Sequence, residues 1–185
     1  MTAPVVVLAV GNPSRGDDAL GPRLLARLET WLVAQGRAGE VELIEDFQLN
    51  IEHALDLQGR RLALFIDAGS GTPAPYTFTR LHAAAGLGSS THALEPGAVL
   101  KVFEQTCPGP APACFVLCVR GERFELGEGL SPAAEGHAEA AWGLLAELMA
   151  RAELAAWFAM GEAAGKIIRP PADQSVPTGQ PSGAS

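Results

Sequence analysis

The pattern of apolar and polar positions alternates between two periods along the chain. PVVVLAV (residues 4–10) is an unbroken apolar run, short enough for a strand and lacking a polar face, which is how strands covered on both sides read. The period then changes. Leu20, Leu24, Leu28 and Leu32 recur every four positions, and Leu25 and Trp31 widen the stripe, predicting an amphipathic helix that begins at Asp17 or Asp18. Pro22 fits such a helix only in its first turn, and Gly36 is its expected stop. VELIED (41–46) reads as a second strand, NIEHALDL (50–57) as a short helix, and RLALFIDAGS (61–70) as a third strand, buried, closing on Asp67 and a Gly-rich turn. YTFTRLH (76–82) alternates as an edge strand does, and PGAVLKVFEQT (96–106) predicts a helix with Pro near its start and Val99 one turn from Phe103. ACFVLCV (113–119) is a further buried strand. Residues 130–158 read as one last helix, capped by Ser131, with Pro132 at its first position and Leu145, Leu148 and Met149 on its buried stripe.

Strands buried on both faces and alternating with helices imply an α/β fold, a three-layer α/β/α sandwich around a mostly parallel twisted sheet of about five strands. At 185 residues the chain fits one domain, expected over residues 1–168. Residues 150–168 either extend the last helix or pack back on the domain. The ending RPPADQSVPTGQPSGAS (169–185) is rich in Pro, Gly, Ser and Gln, has no face to bury, and is expected to be a disordered tail.

Composition narrows the function. The formal net charge is −8 with no basic stripe, which argues against nucleic acid and anionic membrane as partners. No apolar run is long enough to span a bilayer, and APVVVLAV lacks the positive start of a signal peptide. Cys107, Cys114 and Cys118 match no zinc or redox spacing and read as buried free thiols of a cytoplasmic protein.

The chemistry concentrates in VLAVGNPSRGDDALG (7–21). The run Gly11-Asn12-Pro13-Ser14-Arg15-Gly16 puts Pro13 where a dinucleotide fingerprint needs its close-approach glycine, and Asp17-Asp18 stand where a P-loop needs Lys and Ser or Thr. Two carboxylates at a helix start also occupy the end of the dipole that a phosphate would use, so phosphate binding is disfavoured. Helix capping explains one aspartate; the second is either a first-turn dipole partner or a functional group. Asp67 favours function, because a carboxylate closing LALFI is costly to desolvate and needs a partner. If the first and third strands are neighbours, Asp18 and Asp67 converge at one sheet edge, where two carboxylates repel unless a cation lies between them. His92, in the loop SSTHALEPG, adds a nitrogen donor, and Asp, Asp and His suit a divalent first-row metal. A loop histidine bonded to backbone is the alternative for His92, while His53, His82 and His137 are weaker ligand candidates.

These residues resemble the nickel–iron hydrogenase maturation endopeptidases, in particular the Hox-type branch serving NAD-reducing, bidirectional hydrogenases. The resemblance spans about residues 4–150 and rests on GNPSRGDDALG, LFIDAG, THALEPGAVL and GERFELGEGLSP, with DFQLNIEHALDL (46–57) pointing to the Hox-type branch. It implies an endopeptidase that removes the C-terminal extension of a hydrogenase large-subunit precursor once nickel is in place. It carries the metal-site and catalytic roles onto Asp18 (Glu in many members), Asp67 and His92, and gives Gly11, Asn12 and Asp17 the shaping of the turn. The nickel is supplied by the precursor's own thiolates, the substrate is this one protein, and the family suggests a monomer. The metal would then polarise the scissile carbonyl or activate a water. HExxH is absent, and the cysteines have no electropositive surroundings in sequence to activate them. The rival from another class is a non-catalytic assembly factor that binds the nickel-loaded precursor and releases it uncut.

Overall fold

The computed structural model describes residues 2–84 and 94–163. Five strands, β1 (Val5–Val10), β2 (Val41–Asp46), β3 (Leu62–Gly69), β4 (Tyr76–Arg80) and β5 (Ala113–Arg120), form one sheet in the order β2-β1-β3-β5-β4. β1 pairs in parallel with β2 and β3, β3 in parallel with β5, and β4 closes the edge antiparallel to β5. β1 and β3 are neighbours as expected, with Ala9 opposite Ile66. All six positions of β1 are buried because each face of the sheet carries its own apolar layer.

One layer is made by α1 (Leu20–Ala34), α4 (Pro132–Ala150) and Trp157, packed on Val5, Val7, Leu64, Ile66, Phe115 and Leu117. The opposite layer is made by the short α2 (His53–Asp56) and by α3 (Pro96–Thr106), whose Val99, Leu100 and Phe103 meet Val6, Leu8 and Phe65. This is the three-layer α/β/α sandwich. No described helix is long and apolar enough to cross a membrane.

Three boundaries differ from the sequence expectation. α1 begins at Leu20, after a single 3-10 turn over Gly16–Ala19, because the aspartate expected to start the helix is engaged elsewhere (below). β3 runs two residues beyond Asp67, since Ala68 and Gly69 still pair with Val119 and Arg120. The expected last helix is broken into α4 and α5 (Leu154–Ala163). The break turns the chain back so that Trp157 is fully buried, its ring edge-on to Phe115 at 5.3 Å and its indole N–H donating to the Leu148 carbonyl at 2.8 Å. A continuous helix would carry that indole away from the domain and leave an end-of-helix carbonyl without its donor. Residues 164–185, which include the expected tail, lie outside the described residues.

Candidate functional site

The carboxyl ends of β1 and β3 meet where the strand order reverses direction, the place at which open α/β sheets gather ligands. A cleft of about 470 Å³ opens there, lined by Gly11, Asn12, Arg15, Asp18, Asp67 and Leu94 and walled by Phe47, Gln48 and Leu49. Two glycines let the chain reach it. Gly11 sits at φ +142°, and a Cβ there would lie 2.0 Å from the Asp18 carbonyl oxygen. Gly21 brings α1 against the sheet ends: a Cβ there would lie 2.5 Å from the carbonyl oxygen of Val10. The turn after β1 therefore folds tightly under α1 and presents Asp18 to the cleft.

The two adjacent aspartates do different work. Asp18 Oδ2 accepts the Asn12 N–H at 2.8 Å, which fixes its carboxylate across the turn and leaves it on the cleft wall. Asp17 is fully buried and makes no cap bond within its own turn. Its carboxylate instead accepts the N–H groups of Glu122 (2.7 Å), Arg123 (2.9 Å) and Ser131 (2.7 Å), and the Ser131 hydroxyl at 2.8 Å. Ser131 in turn caps α4 by accepting the Ala134 N–H at 3.2 Å. Burial alone would raise the Asp17 pKa, but the donors from Glu122, Ser131 and Arg123 outweigh it and hold the carboxyl below its ordinary value. Asp17 thus orients the turn, but through a segment more than a hundred residues away rather than by capping its own helix.

Asp67 projects from β3 on the face that carries Val10, because Val10 is one residue beyond Ala9, which pairs with Ile66. Its Oδ1 accepts the Ala68 N–H at 2.7 Å. Burial pushes the Asp67 carboxyl up to about 6, the Ala68 N–H pulls against that, and the Asp18 charge adds to it. The structure therefore brings Asp18 and Asp67 into one cleft, close enough for the Asp18 charge to act on Asp67. His92 falls outside the described residues. Among the described residues, no cluster of three or more His, Cys, Asp or Glu side chains is placed to hold a metal ion. The described part of the site is thus a pair of carboxylate oxygen donors.

The thiols are free, as expected, but only Cys114 is fully buried. Burial pushes it up to about 12 and also raises Cys118, whose Sγ lies 3.0 Å from Thr72 Oγ1 beside Asp67 on the neighbouring strand. A raised pKa disfavours thiolate at either position, so neither is an activated nucleophile. Of the other histidines, His53 is buried against Asp46, and His137 Nδ1 lies 2.9 Å from the Arg120 carbonyl. The sequence set His53 aside as a weaker ligand candidate and gave Asp46 no role, yet the two stand together behind the cleft wall.

The class is an α/β/α protein whose acidic cleft lies at the switch point of its sheet. No family model matches the chain, and no curated protein matches it in sequence. Solved structures do. The hydrogenase maturating endopeptidase HybD from E. coli shares 25% identity over 80% of this chain and 93% of its own, with a TM-score of 0.59. The [NiFe] hydrogenase maturation protease HycI from Thermococcus kodakarensis shares 24% identity over 80% and 92%, also at 0.59. An endopeptidase from E. coli, solved in solution, shares 24% identity over 85% and 93%, at 0.58. The chain is similar in fold to hydrogenase maturation endopeptidases across nearly their whole length.

Proposed function

We propose that this chain is an endopeptidase that removes the C-terminal extension of a nickel-loaded [NiFe]-hydrogenase large-subunit precursor, within the Hox-type branch. The observation that carries the reading is the convergence of Asp18 and Asp67 in one cleft at the β1–β3 switch point, on a fold like that of the maturation endopeptidases. Two buried-edge carboxylates that repel each other are relieved when a cation sits between them. Here that cation is nickel held by the precursor's thiolates, so a precursor without nickel binds poorly and stays uncut. His92 supplies the third donor; Leu94, two positions further on, lines the same cleft. Metal bound by few protein ligands keeps positions open for the scissile carbonyl or an attacking water. The raised thiols of Cys114 and Cys118 favour this route over a cysteine nucleophile. The protein works on this one client as a monomer in the cytoplasm.

The test is incubation of the purified protein with nickel-loaded and nickel-free precursor, read by intact mass at the precursor's C-terminus. The expected result is a mass loss only with nickel, abolished in Asp18→Ala, Asp67→Ala and His92→Ala. Cleavage that survives all three substitutions would refute the site. Tight binding of loaded precursor with no mass loss would make the protein a non-catalytic assembly factor.

A further inference from the structure

The cleft wall of Phe47, Gln48 and Leu49 is tied down at both ends by one pair of side chains. At its start, Asp46 Oδ1 accepts the Phe47 N–H at 2.7 Å. At its end, His53 Nδ1 accepts the Asn50 N–H at 3.0 Å, and His53 Nε2 lies 3.5 Å from Asp46 Oδ2. A ring nitrogen that accepts a hydrogen bond carries no proton, so the neutral ring holds its proton on Nε2, the nitrogen that lies beside Asp46. The imidazole bridges the two ends of the loop from a buried position, at 5% exposure. Asn50 Oδ1 takes the Glu52 N–H at 2.9 Å, and Leu94 N–H donates to the Leu49 carbonyl at 3.3 Å. Phe47 itself is 69% exposed, so its own packing does not hold it at the cleft. The clamp behind it does.

We propose that His53 is a positioning residue: through Asp46 and Asn50 it fixes the Phe47–Leu49 wall against which the client polypeptide lies. The proposal rests on the peptidase reading above. His53 acts on the shape of the wall, so its loss weakens capture of the client and leaves bond cleavage intact.

The test uses the full chain with His53→Asn, His53→Gln and His53→Ala. The asparagine side-chain oxygen falls near the place of Nδ1 and keeps the Asn50 bond. Glutamine reaches towards Asp46 and leaves the Asn50 N–H unbonded. Amide exchange by NMR is expected to rise at least tenfold at Asn50 in His53→Gln and His53→Ala, with shifted resonances at Phe47–Leu49. His53→Asn should stay within about threefold of the parent protein, and core amides such as Val6 and Leu64 should be unchanged in His53→Gln. With nickel-loaded precursor, KM should rise about tenfold in His53→Gln with kcat within about twofold, and both should return towards parent values in His53→Asn. Unchanged exchange at Asn50 in His53→Gln overturns the proposal, as does a fall in kcat at constant KM. If the parent protein cuts no precursor, the peptidase reading fails, and the exchange data alone decide whether His53 holds the wall.

Discussion

Replacing Asp17 by Ala removes one carboxylate and strands four donors. Two of them, the N–H groups of Glu122 and Arg123, belong to exposed residues, where water takes over the bond at little cost. The other two, the Ser131 N–H and hydroxyl, are buried and lose their acceptor outright. A buried donor left unpaired costs about 1–3 kcal/mol, so the pair together with the loosened exposed bonds comes to about 3–5 kcal/mol. For a chain of this size that is a fall in Tm of about 6–20 °C. The assay is thermal and urea unfolding at pH 7, with Ser131→Ala as a companion that loses the hydroxyl bond and the α4 cap for about 1–2 kcal/mol. The sign with pH follows from the lowered Asp17 pKa. Its contribution is full above its unfolded value of 3.8 and disappears as pH drops through the lower folded value. A loss below about 1 kcal/mol in Asp17→Ala at pH 7 would refute the reasoning, because it would mean the buried donors find other partners.

Two further outcomes follow from the same structure. Asp67 is raised from 3.8 to about 6, so the metal-free protein loses stability as pH rises between those values and stays lower above them, by at most about 3 kcal/mol. Asp67→Asn should therefore be inactive yet more stable above pH 6, with a smaller fall in stability between pH 4 and 6 than the parent protein; urea midpoints across that range check it. Trp157→Ala should cost about 3–5 kcal/mol and Trp157→Phe about 1–2, the latter for the Leu148 carbonyl bond, both read by unfolding followed at 222 nm.

Much of this molecule is legible in its sequence because its sheet is covered on both sides. Apolar runs such as VVVLAV and LALFI have few other uses, and the parallel rule then places β1 beside β3 and brings Asp18 to Asp67. What sequence periodicity misses are decisions made at long range. Residues 151–153 offer no proline or glycine to stop a helix, so the break before α5 comes from the burial of Trp157 rather than from local preference. Asp17 looked like a cap because Asp caps helices well, and nothing local reveals that its partners arrive from Glu122, Arg123 and Ser131. His53 looked like an ordinary helical residue because its tie to Asp46 depends on the loop closing back on itself.

The Asp17 tether also has a consequence for how the protein comes into being. A nascent chain that has emerged only as far as β5 already holds both cleft acids and every strand of the sheet. The Asn12 N–H already holds Asp18 across its turn, but the buried half of the Asp17 anchor is missing until the start of α4 is made, with the Ser131 N–H and hydroxyl that complete it. The full anchoring of the cleft turn is therefore reserved for a chain synthesised past Ser131, and copies that stop short of it carry both acids on a turn only partly held.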